Sequence, residues 1–375
     1  MTRFPIDLAT RVLACLADDD FQAAPSSMLE PTDFVTDVDR WERERRQFFE
    51  YGPQIVAWGG ELAGPGSFIT REVCGVSVLI TRVADGSLRA FRNACTHRGT
   101  EVATGCGTAR RLTCPYHGWT FDLEGRLVGQ TQAGAFDDLD VDTLGLPPLP
   151  VAEPAGLVVV GLHSDVDVAG ALDPLASELV WCGYGNHELV GRRTFTLQAN
   201  WKIAADVNLE AYHVAHLHRD TLHHFVTNHF VYDLFGRHAR FAFPRREASD
   251  IIGVGPEGWP AGEEPFIVVH VFFPNTVLIE TSNSSQMFRI EPGRHIGEAT
   301  MEISEASNVP ITGDADRELH QMQFDMLCTV LETEDFPQAE LSSRGAATSL
   351  DHFVFGRIEP MLQHAHRVWR SELAD

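Results

Sequence analysis

Short β-type runs separated by glycine turns fill the first half of the chain, between residues 56 and 163. Residues 77–83 (Ser-Val-Leu-Ile-Thr-Arg-Val) and 88–91 (Leu-Arg-Ala-Phe) flank an Asp85-Gly86 turn, a common signature of a β-hairpin. Residues 119–122 and 156–162 are further runs of strand length. This pattern predicts a small antiparallel β domain that residues 156–162 close.

The rest of the chain mixes longer strands with helical periodicity. Alternation over residues 192–197 and apolar runs over 266–279 and 286–290 predict strands of a larger sheet. Helical spacing predicts helices over residues 32–50, 200–218, 312–332 and 350–370. Thr32 and Asp37 are the candidate caps of the first helix, because their side-chain oxygens can accept free backbone N–H groups.

These elements divide the chain into three segments. An acidic, alanine-rich stretch at residues 165–179 separates the β-rich part from the mixed part. We expect an α+β protein with an N-terminal helical segment (1–50) that packs on the larger domain, an antiparallel β domain (51–165) and a larger domain (166–375). The length of 375 residues is sufficient for two domains of ordinary size.

Charge and composition exclude several classes of protein for this chain. The formal net charge of −24 argues against nucleic acid as a partner, because a polyanion would be repelled. A run of about 18 apolar residues is missing, and no basic region precedes an apolar core near Met1, so we expect no membrane span and a cytoplasmic protein. The 7 cysteines are mostly scattered, which favours reduced thiols over a disulfide framework.

Two short motifs place one cysteine and one histidine each on a loop. They are Cys95-Thr96-His97-Arg98-Gly99 and Cys114-Pro115-Tyr116-His117-Gly118. Two thiolates on one iron and two imidazoles on the other form a [2Fe–2S] centre of the Rieske kind. Zinc also binds two Cys and two His, but zinc fingers pair like ligands, whereas each motif here mixes both. The spacing therefore predicts a [2Fe–2S] cluster held by Cys95, His97, Cys114 and His117.

A second histidine group lies in the mixed part of the chain. Residues 210–218 read Glu-Ala-Tyr-His-Val-Ala-His-Leu-His, which puts His213 and His218 five residues apart, with His216 as an alternative to His213. Two histidines and one carboxylate form the facial arrangement that leaves positions open on Fe(II). The candidate carboxylates lie far downstream, at Glu332, Glu334 and Asp335.

With both motifs in one chain, the sequence resembles the α subunit of Rieske non-haem iron oxygenases. The resemblance includes Asn200-Trp201-Lys202 before the histidine group, the run from His270 to Asn275, and Glu334-Asp335 followed by Ser343-Arg344-Gly345. It implies a Rieske domain beside a helix-grip catalytic domain with a central antiparallel sheet, assembled as a homotrimer. It also implies that His213, His218 and Asp335 bind a mononuclear iron.

The same resemblance gives Glu210 a role. An acidic residue three positions before the first iron histidine would hydrogen-bond that histidine, here His213. It would also reach a cluster histidine of the neighbouring subunit, here His117. Such a carboxylate fixes the imidazole tautomers and shortens the path of the electron.

The implied activity is that of a terminal oxygenase component, mono- or dioxygenase, that uses O₂ and electrons from NAD(P)H. A flavin reductase, a ferredoxin or both would deliver the electrons. We expect hydroxylation of an aromatic or other cyclic hydrophobic compound, with oxidative N- or O-demethylation as the alternative. A Rieske electron carrier or sensor is the non-oxygenase alternative. Val207, Leu209, Phe225, Val271 and Phe273 are candidates for the lining of an apolar substrate pocket, although ordinary core packing is the more frequent role of such residues.

Overall fold

The computed structural model describes residues 4–259 and 265–373. It divides the chain into two compact units. The smaller unit consists of Gln47–Ala171 and Tyr184–His187, a few residues beyond the predicted 51–165. The larger unit contains the N-terminal segment up to Arg46, then Leu172–Gly183, and the chain from Glu188 onward. The N-terminal segment thus belongs to the same unit as the second half of the chain.

The N-terminal segment contains α1 (Ile6–Ala17), β1 (Met28–Pro31), α2 (Asp33–Thr36) and α3 (Val38–Glu44), followed by a π-helical turn, Arg45–Glu50. The Asp37 carboxylate accepts the backbone N–H of Arg40 at 3.0 Å, so Asp37 caps α3 as its sequence position suggested. On α1, the buried side chains include Leu8 and Val12, which face the large sheet of this unit.

Three antiparallel sheets form the smaller unit. Its strands are β2 Gln54–Trp58, β3 Ser67–Val73, β4 Val76–Arg82, β5 Leu88–Arg92, β6 Cys106–Thr108, β7 Arg111–Thr113, β8 Thr120–Asp122, β9 Leu127–Gly129, β10 Pro148–Leu149, β11 Val151–Ala152 and β12 Leu157–Val160. The sheet orders are β10-β5-β4-β3-β6, β11-β12-β2 and β7-β8-β9. The two Cys/His loops follow β5 and β7, so both are anchored by paired strands.

A seven-stranded antiparallel sheet is the centre of the larger unit, in the order β13-β19-β18-β17-β16-β15-β14. The strands are β13 Glu188–Leu197, β14 Val231–Phe235, β15 His238–Pro244, β16 Phe266–Phe272, β17 Thr276–Glu280, β18 Ser284–Pro292 and β19 Ala299–Ser307. Successive side chains point to opposite faces of a strand. Ile267 and Val269 face a cavity, whereas Phe266 and Val268 pack on the core that includes α1.

Besides α1, α2 and α3, the helices of this unit include α4 (Trp201–Asp206), α5 (Asp314–Val330), α6 (Phe336–Thr348) and α7 (Pro360–Glu372). α5 covers the cavity face of the sheet with Met326, Leu327 and Val330. The fold confirms the predicted α+β class and the antiparallel sheets. Within the described ranges, no helix is both long enough and apolar enough to cross a lipid bilayer.

Two predicted helices are wrong in part. Residues 200–218 form only α4 and then irregular turns, because the chain tightens at Asn208 and Leu209, whose N–H groups bond to carbonyls three residues back. Residues 350–370 begin with a strand, β20 (His352–Phe355), which pairs with β1, and only then form α7. In the predicted run 266–279, the strand is interrupted at residues 273–275 and forms β16 and β17.

Candidate metal centres

The two Cys/His loops have the same backbone design. In the first loop, the N–H of Cys95 donates to the carbonyl of Thr100 at 2.8 Å, and the N–H of Gly99 donates to that of Cys95 at 2.7 Å. The second loop repeats both bonds at 2.8 and 3.1 Å, between Cys114, Trp119 and Gly118. Both closing glycines have positive φ (79° and 71°), a conformation that other residues rarely adopt. Each cysteine therefore lies in the same backbone conformation, which the local hydrogen bonds and the closing glycine set.

The four side chains of these loops converge. Cys95 and Cys114 are buried, and the Cys95 thiol contacts that of Cys114. The rings of His97 and His117 lie with their centroids 4.5 Å apart, and the His97 ring stacks on Trp119 at 4.9 Å. The buried Nδ1 of His97 finds no hydrogen-bond partner among the described residues, as expected for an atom that ligates a metal. The donor set fits the two thiolates and two imidazoles of a Rieske cluster.

A second metal-type group lies in the larger unit. His213, His218 and Asp335 each offer one ligand atom, and these atoms lie within 4.8 Å of one another. Asp335 Oδ1 is 3.5 Å from Nε2 of His213 and 3.2 Å from Nε2 of His218. Asp335 is only 2% exposed, and its Oδ2 has no hydrogen-bond partner in the described parts of the chain. A buried, half-satisfied carboxylate between two imidazoles fits a cation between them.

Local chain geometry explains how residues five apart reach one point. The carboxylate of Glu210 accepts the backbone N–H of His213 at 3.0 Å, so it acts like a helix cap and starts a new 3₁₀ turn, Tyr212–Ala215. Asp335 comes from the other side, at the end of a π-helical turn, Leu331–Asp335, that follows α5. Such π segments are frequent at functional sites.

Each histidine is also held from behind by a carboxylate. Glu210 bonds to Nδ1 of His213, and Glu334 bonds to Nδ1 of His218 at 2.6 Å. Thr221 donates a further hydrogen bond to Glu334 at 3.0 Å. In both rings Nδ1 is therefore occupied and Nε2 faces Asp335. This carboxylate–histidine arrangement is typical of metal sites, where it fixes the tautomer and the ring orientation.

The neighbouring acids change the pKa values of the histidine–carboxylate group. Burial lowers the pKa of His213, but Asp335 and Glu210 outweigh it and raise this pKa to about 10. Burial acts to raise the pKa of Asp335, yet the two histidines hold it below its ordinary value. The cluster thus attracts positive charge, which a divalent metal ion would supply.

The alternative ligands named from the sequence lie in different places in the structure. His216 is exposed and lies outside the three-residue group. Glu332 is exposed as well. Glu334 is the acid behind His218, not between the two histidines. Of the three candidate acids, Asp335 alone sits between the two rings. Sequence reasoning missed the role of Glu334, although its position one residue before Asp335 was visible.

A cavity of about 430 Å³ adjoins the histidine–carboxylate group. Its wall is mostly apolar and includes four phenylalanines: Phe225, Phe241, Phe243 and Phe288. Of the five candidate pocket residues named from the sequence, Val207 and Phe225 line this cavity. Leu209, Val271 and Phe273 are not among the described lining residues.

One acid interrupts this apolar wall. Glu305, on β19, is 1% exposed and receives a hydrogen bond from Gln286 at 3.1 Å. Its Oε1 has no hydrogen-bond partner in the described structure, and burial raises its pKa to about 7. Sequence reasoning missed this residue. The available signal was its place in the strand pattern of residues 299–307, where an acid shares the face of apolar neighbours.

Two family models match the chain. The Rieske [2Fe-2S] domain model matches residues 53–145, and the model of the ring hydroxylating alpha subunit (catalytic domain) matches residues 185–375. Among curated proteins, a carnitine monooxygenase oxygenase subunit from Acinetobacter pittii (strain PHEA-2) is 36% identical over 205 residues, covering 53% of this chain and 55% of that protein. The chloroplastic choline monooxygenase of Beta vulgaris is 29% identical over 205 residues, covering 52% and 45%. The chain spans about half the length of the curated relatives it matches.

Solved structures share the whole fold. A quaternary ammonium Rieske monooxygenase in complex with L-carnitine superposes with a TM-score of 0.76 at 22% identity, covering 99% of this chain and 100% of that one. Naphthalene 1,2-dioxygenase from Rhodococcus sp. bound to indole gives 0.73 at 18% identity, covering 98% and 97%. The cofactors of such proteins, a Rieske [2Fe–2S] cluster and a mononuclear iron, fit the donor sets described above. The chain therefore belongs to the α subunits of the Rieske non-haem iron oxygenases.

Proposed function

We propose that this protein is a terminal oxygenase component that hydroxylates a carbon next to a positively charged nitrogen, which leads to oxidative N-dealkylation. The observation that carries this substrate class is the buried carboxylate of Glu305 in the cavity beside His213, His218 and Asp335. A substrate cation would be the charge partner of Glu305 Oε1, which has no hydrogen-bond partner among the described residues.

The surroundings of Glu305 favour a cation with an apolar shell. A carboxylate that is removed from water without a partner is costly, so its ionised form gains most from a bound positive charge. Phe241, Phe243 and Phe288 line the same cavity. Aromatic rings can attract ammonium groups. Methylated ammonium groups combine a positive charge with an apolar surface, and they match both features of this wall.

The names of the relatives support the same class. The curated relatives are oxygenases of carnitine, choline and glycine betaine, and all three compounds carry a quaternary nitrogen. The earlier expectation of an aromatic substrate finds no support in these relatives. The alternative of oxidative demethylation is closer to them.

We assign the metal ligands accordingly. Cys95, His97, Cys114 and His117 would hold the [2Fe–2S] cluster, and His213, His218 and Asp335 would hold the iron. When bound there, the iron supplies the activation of O₂. Glu334 and Glu210 keep the two imidazoles oriented. The apolar wall excludes water, and Glu305 orients the nitrogen so that its neighbouring carbon is presented for reaction.

The overall reaction balances with an external electron supply. One O₂, two electrons and two protons insert one oxygen atom into the C–H bond and release one water. The bond between the hydroxylated carbon and nitrogen then breaks and the hydroxyl proton is released to solvent, which gives an aldehyde and the free amine. The electrons would come from NAD(P)H through a flavin reductase, a ferredoxin or both, since the two metal centres proposed here provide no site for hydride transfer.

Glu210 is proposed to link the [2Fe–2S] cluster of one subunit to the mononuclear iron of the next subunit in a homotrimer. It holds His213 and also lines a second cavity, together with His216 and Glu359. A carboxylate in this place can bond to His213 on one side and to His117 of a neighbouring subunit on the other. This arrangement would explain why the chain uses an acid rather than an amide at position 210.

Hydroxylation of an aromatic or cyclic hydrophobic compound is the second candidate, because four phenylalanines line the cavity. Such a substrate would leave Glu305 without a charge partner. A cationic substrate requires an ionised Glu305, whereas an aromatic substrate does not. Pairs of charged and neutral compounds of the same shape can therefore distinguish the two proposed functions.

The test is a substrate panel with purified protein, a surrogate reductase and NADH. It pairs each cationic compound with its neutral carbon analogue, for example choline with 3,3-dimethylbutan-1-ol, and it adds naphthalene and indole. Amine and aldehyde release are measured against O₂ uptake. We expect coupled product from a cationic compound and little from its neutral analogue. Coupled hydroxylation of the aromatic compounds, with no turnover of cationic ones, would overturn the proposal.

A further inference from the structure

A second buried group of metal-ligand type lies on the face of the large sheet that is turned away from the cavity. Cys182, His270 and Glu280 each offer a ligand atom, and these atoms lie within 4.8 Å of one another. Their exposed fractions are 3%, 0% and 0%. His270 on β16 and Glu280 on β17 share the face of Val268, whereas Val269 and Ile279 point to the cavity.

His270 is the most informative member of the group. Both of its ring nitrogens are buried, and neither has a hydrogen-bond partner within residues 4–259 and 265–373. Buried imidazoles normally bond through at least one nitrogen, and His238 on the neighbouring strand does so by accepting the N–H of Phe273 at 3.1 Å.

The charged residues near Cys182, His270 and Glu280 are compatible with a bound divalent cation. The guanidinium of Arg240 is already paired, at 2.7 Å from Asp233 and 3.2 Å from Glu178. Ser285 donates a hydrogen bond to one oxygen of Glu280 at 2.5 Å. One thiolate and one carboxylate carry two negative charges, which a divalent ion neutralises inside an apolar core.

We propose that Cys182, His270 and Glu280 bind a zinc ion, at a site separate from both iron centres. Thiolate, imidazole and carboxylate are all zinc ligands, and a mixed set with one sulfur suits zinc better than magnesium or calcium. On binding, the Cys182 thiol releases its proton to solvent, and no electron is transferred. The ion ties β16 and β17 to the segment Leu172–Gly183, which gives it a structural role.

The proposal does not depend on the substrate or on oxygenase activity, and metal analysis tests it. Untagged protein is produced with iron and zinc in the medium, and the metals are counted by mass spectrometry after gel filtration. We expect about one zinc per chain in addition to the iron. Cys182→Ser and His270→Gln should each lose most of the zinc. Both should keep the iron content and the spin-resonance signal of the reduced cluster.

Cys328→Ser is the matched control, because Cys328 is also fully buried but lies on α5, outside the group. This variant should retain its zinc. X-ray absorption of zinc in the wild-type protein should show one sulfur neighbour at about 2.3 Å with lighter N/O neighbours. Because the X-ray absorption measurement uses the wild-type protein, it tests the zinc site even if the substituted proteins do not fold.

Three results would overturn the assignment. The first is wild-type protein without zinc, even after incubation with the ion and removal of the excess. The second is unchanged zinc content in both Cys182→Ser and His270→Gln. The third is a zinc spectrum without a sulfur neighbour, which would place the ion elsewhere.

Discussion

Replacing Glu305 by glutamine tests the substrate class most sharply. The change removes a charge but keeps the size of the side chain and its neighbour Gln286. Two unit charges about 4 Å apart attract by about 4 kcal/mol at an effective dielectric constant of about 20. Desolvation offsets part of this attraction, and loss of one partner of a buried charge pair costs about 2–5 kcal/mol. We expect about 2 kcal/mol, or a roughly 30-fold higher KM for a cationic substrate.

The same carboxylate predicts a pH dependence. Because burial raises the pKa of Glu305 to about 7, its ionised form increases as the pH rises through neutrality. With this pKa, roughly one tenth of the free enzyme is ionised at pH 6 and roughly nine tenths at pH 8. The value of kcat/KM for a cationic substrate should therefore rise about tenfold over this interval. In Glu305→Gln this rise should disappear.

The assay is O₂ uptake together with amine release, measured from pH 6 to pH 8 with the best cationic compound of the panel and its neutral analogue. The reductase is kept in excess at every pH, so that electron supply does not set the rate. The neutral analogue serves as the control, since it has no charge for Glu305 to recognise. An unchanged KM in Glu305→Gln, or an identical pH profile in both proteins, would refute the reasoning.

Three further predictions concern the metal sites and the core. Glu334→Gln should weaken binding of the mononuclear iron by about 10- to 100-fold in chelator titrations, because His218 loses its orienting acid, while exposed Glu332→Gln should not. Glu210→Gln should keep both metal centres by iron analysis yet consume little O₂ with substrate; full coupled turnover would exclude the bridging role. Lys202→Met should cost about 3 kcal/mol in urea unfolding, because Lys202 and Glu44 form an ion pair without solvent exposure. A loss below about 1 kcal/mol would show that Arg40, which also bonds to Glu44, compensates.

The cluster loops could be predicted from sequence because their information is local. Each motif contains its own cysteine, histidine and closing glycine within five residues. The backbone hydrogen bonds that close each loop join residues at most five positions apart. The spacing alone was therefore sufficient to predict Cys95, His97, Cys114 and His117 as candidate ligands.

Prediction of the candidate iron site needed more than local spacing. His218 and Glu334 are 116 residues apart, and no periodicity in the chain connects them. The histidines lie outside regular helix, where Glu210 caps a short turn, and Asp335 lies in a π-helical turn. Family resemblance supplied these residues. In the structure, Asp335 lies between the rings of His213 and His218, whereas Glu334 bonds to the far nitrogen of His218, Nδ1.

The secondary-structure errors have a common cause. Residues 352–355 are a strand because β1, more than 300 positions earlier in the chain, pairs with them, and local periodicity contains no such information. Pro360 at the first turn of α7 was a usable signal for the later helix start. Likewise, Glu305 acquires its importance only when β19 faces the cavity.

Iron analysis tests the central claim most directly, namely that this chain combines a two-iron cluster with a separate iron at His213, His218 and Asp335. Wild-type protein should contain three iron atoms per chain. Asp335→Ala should contain two, with the spin-resonance signal of the dithionite-reduced cluster unchanged. Two irons in the wild-type protein, or no loss of iron in Asp335→Ala, would contradict the account.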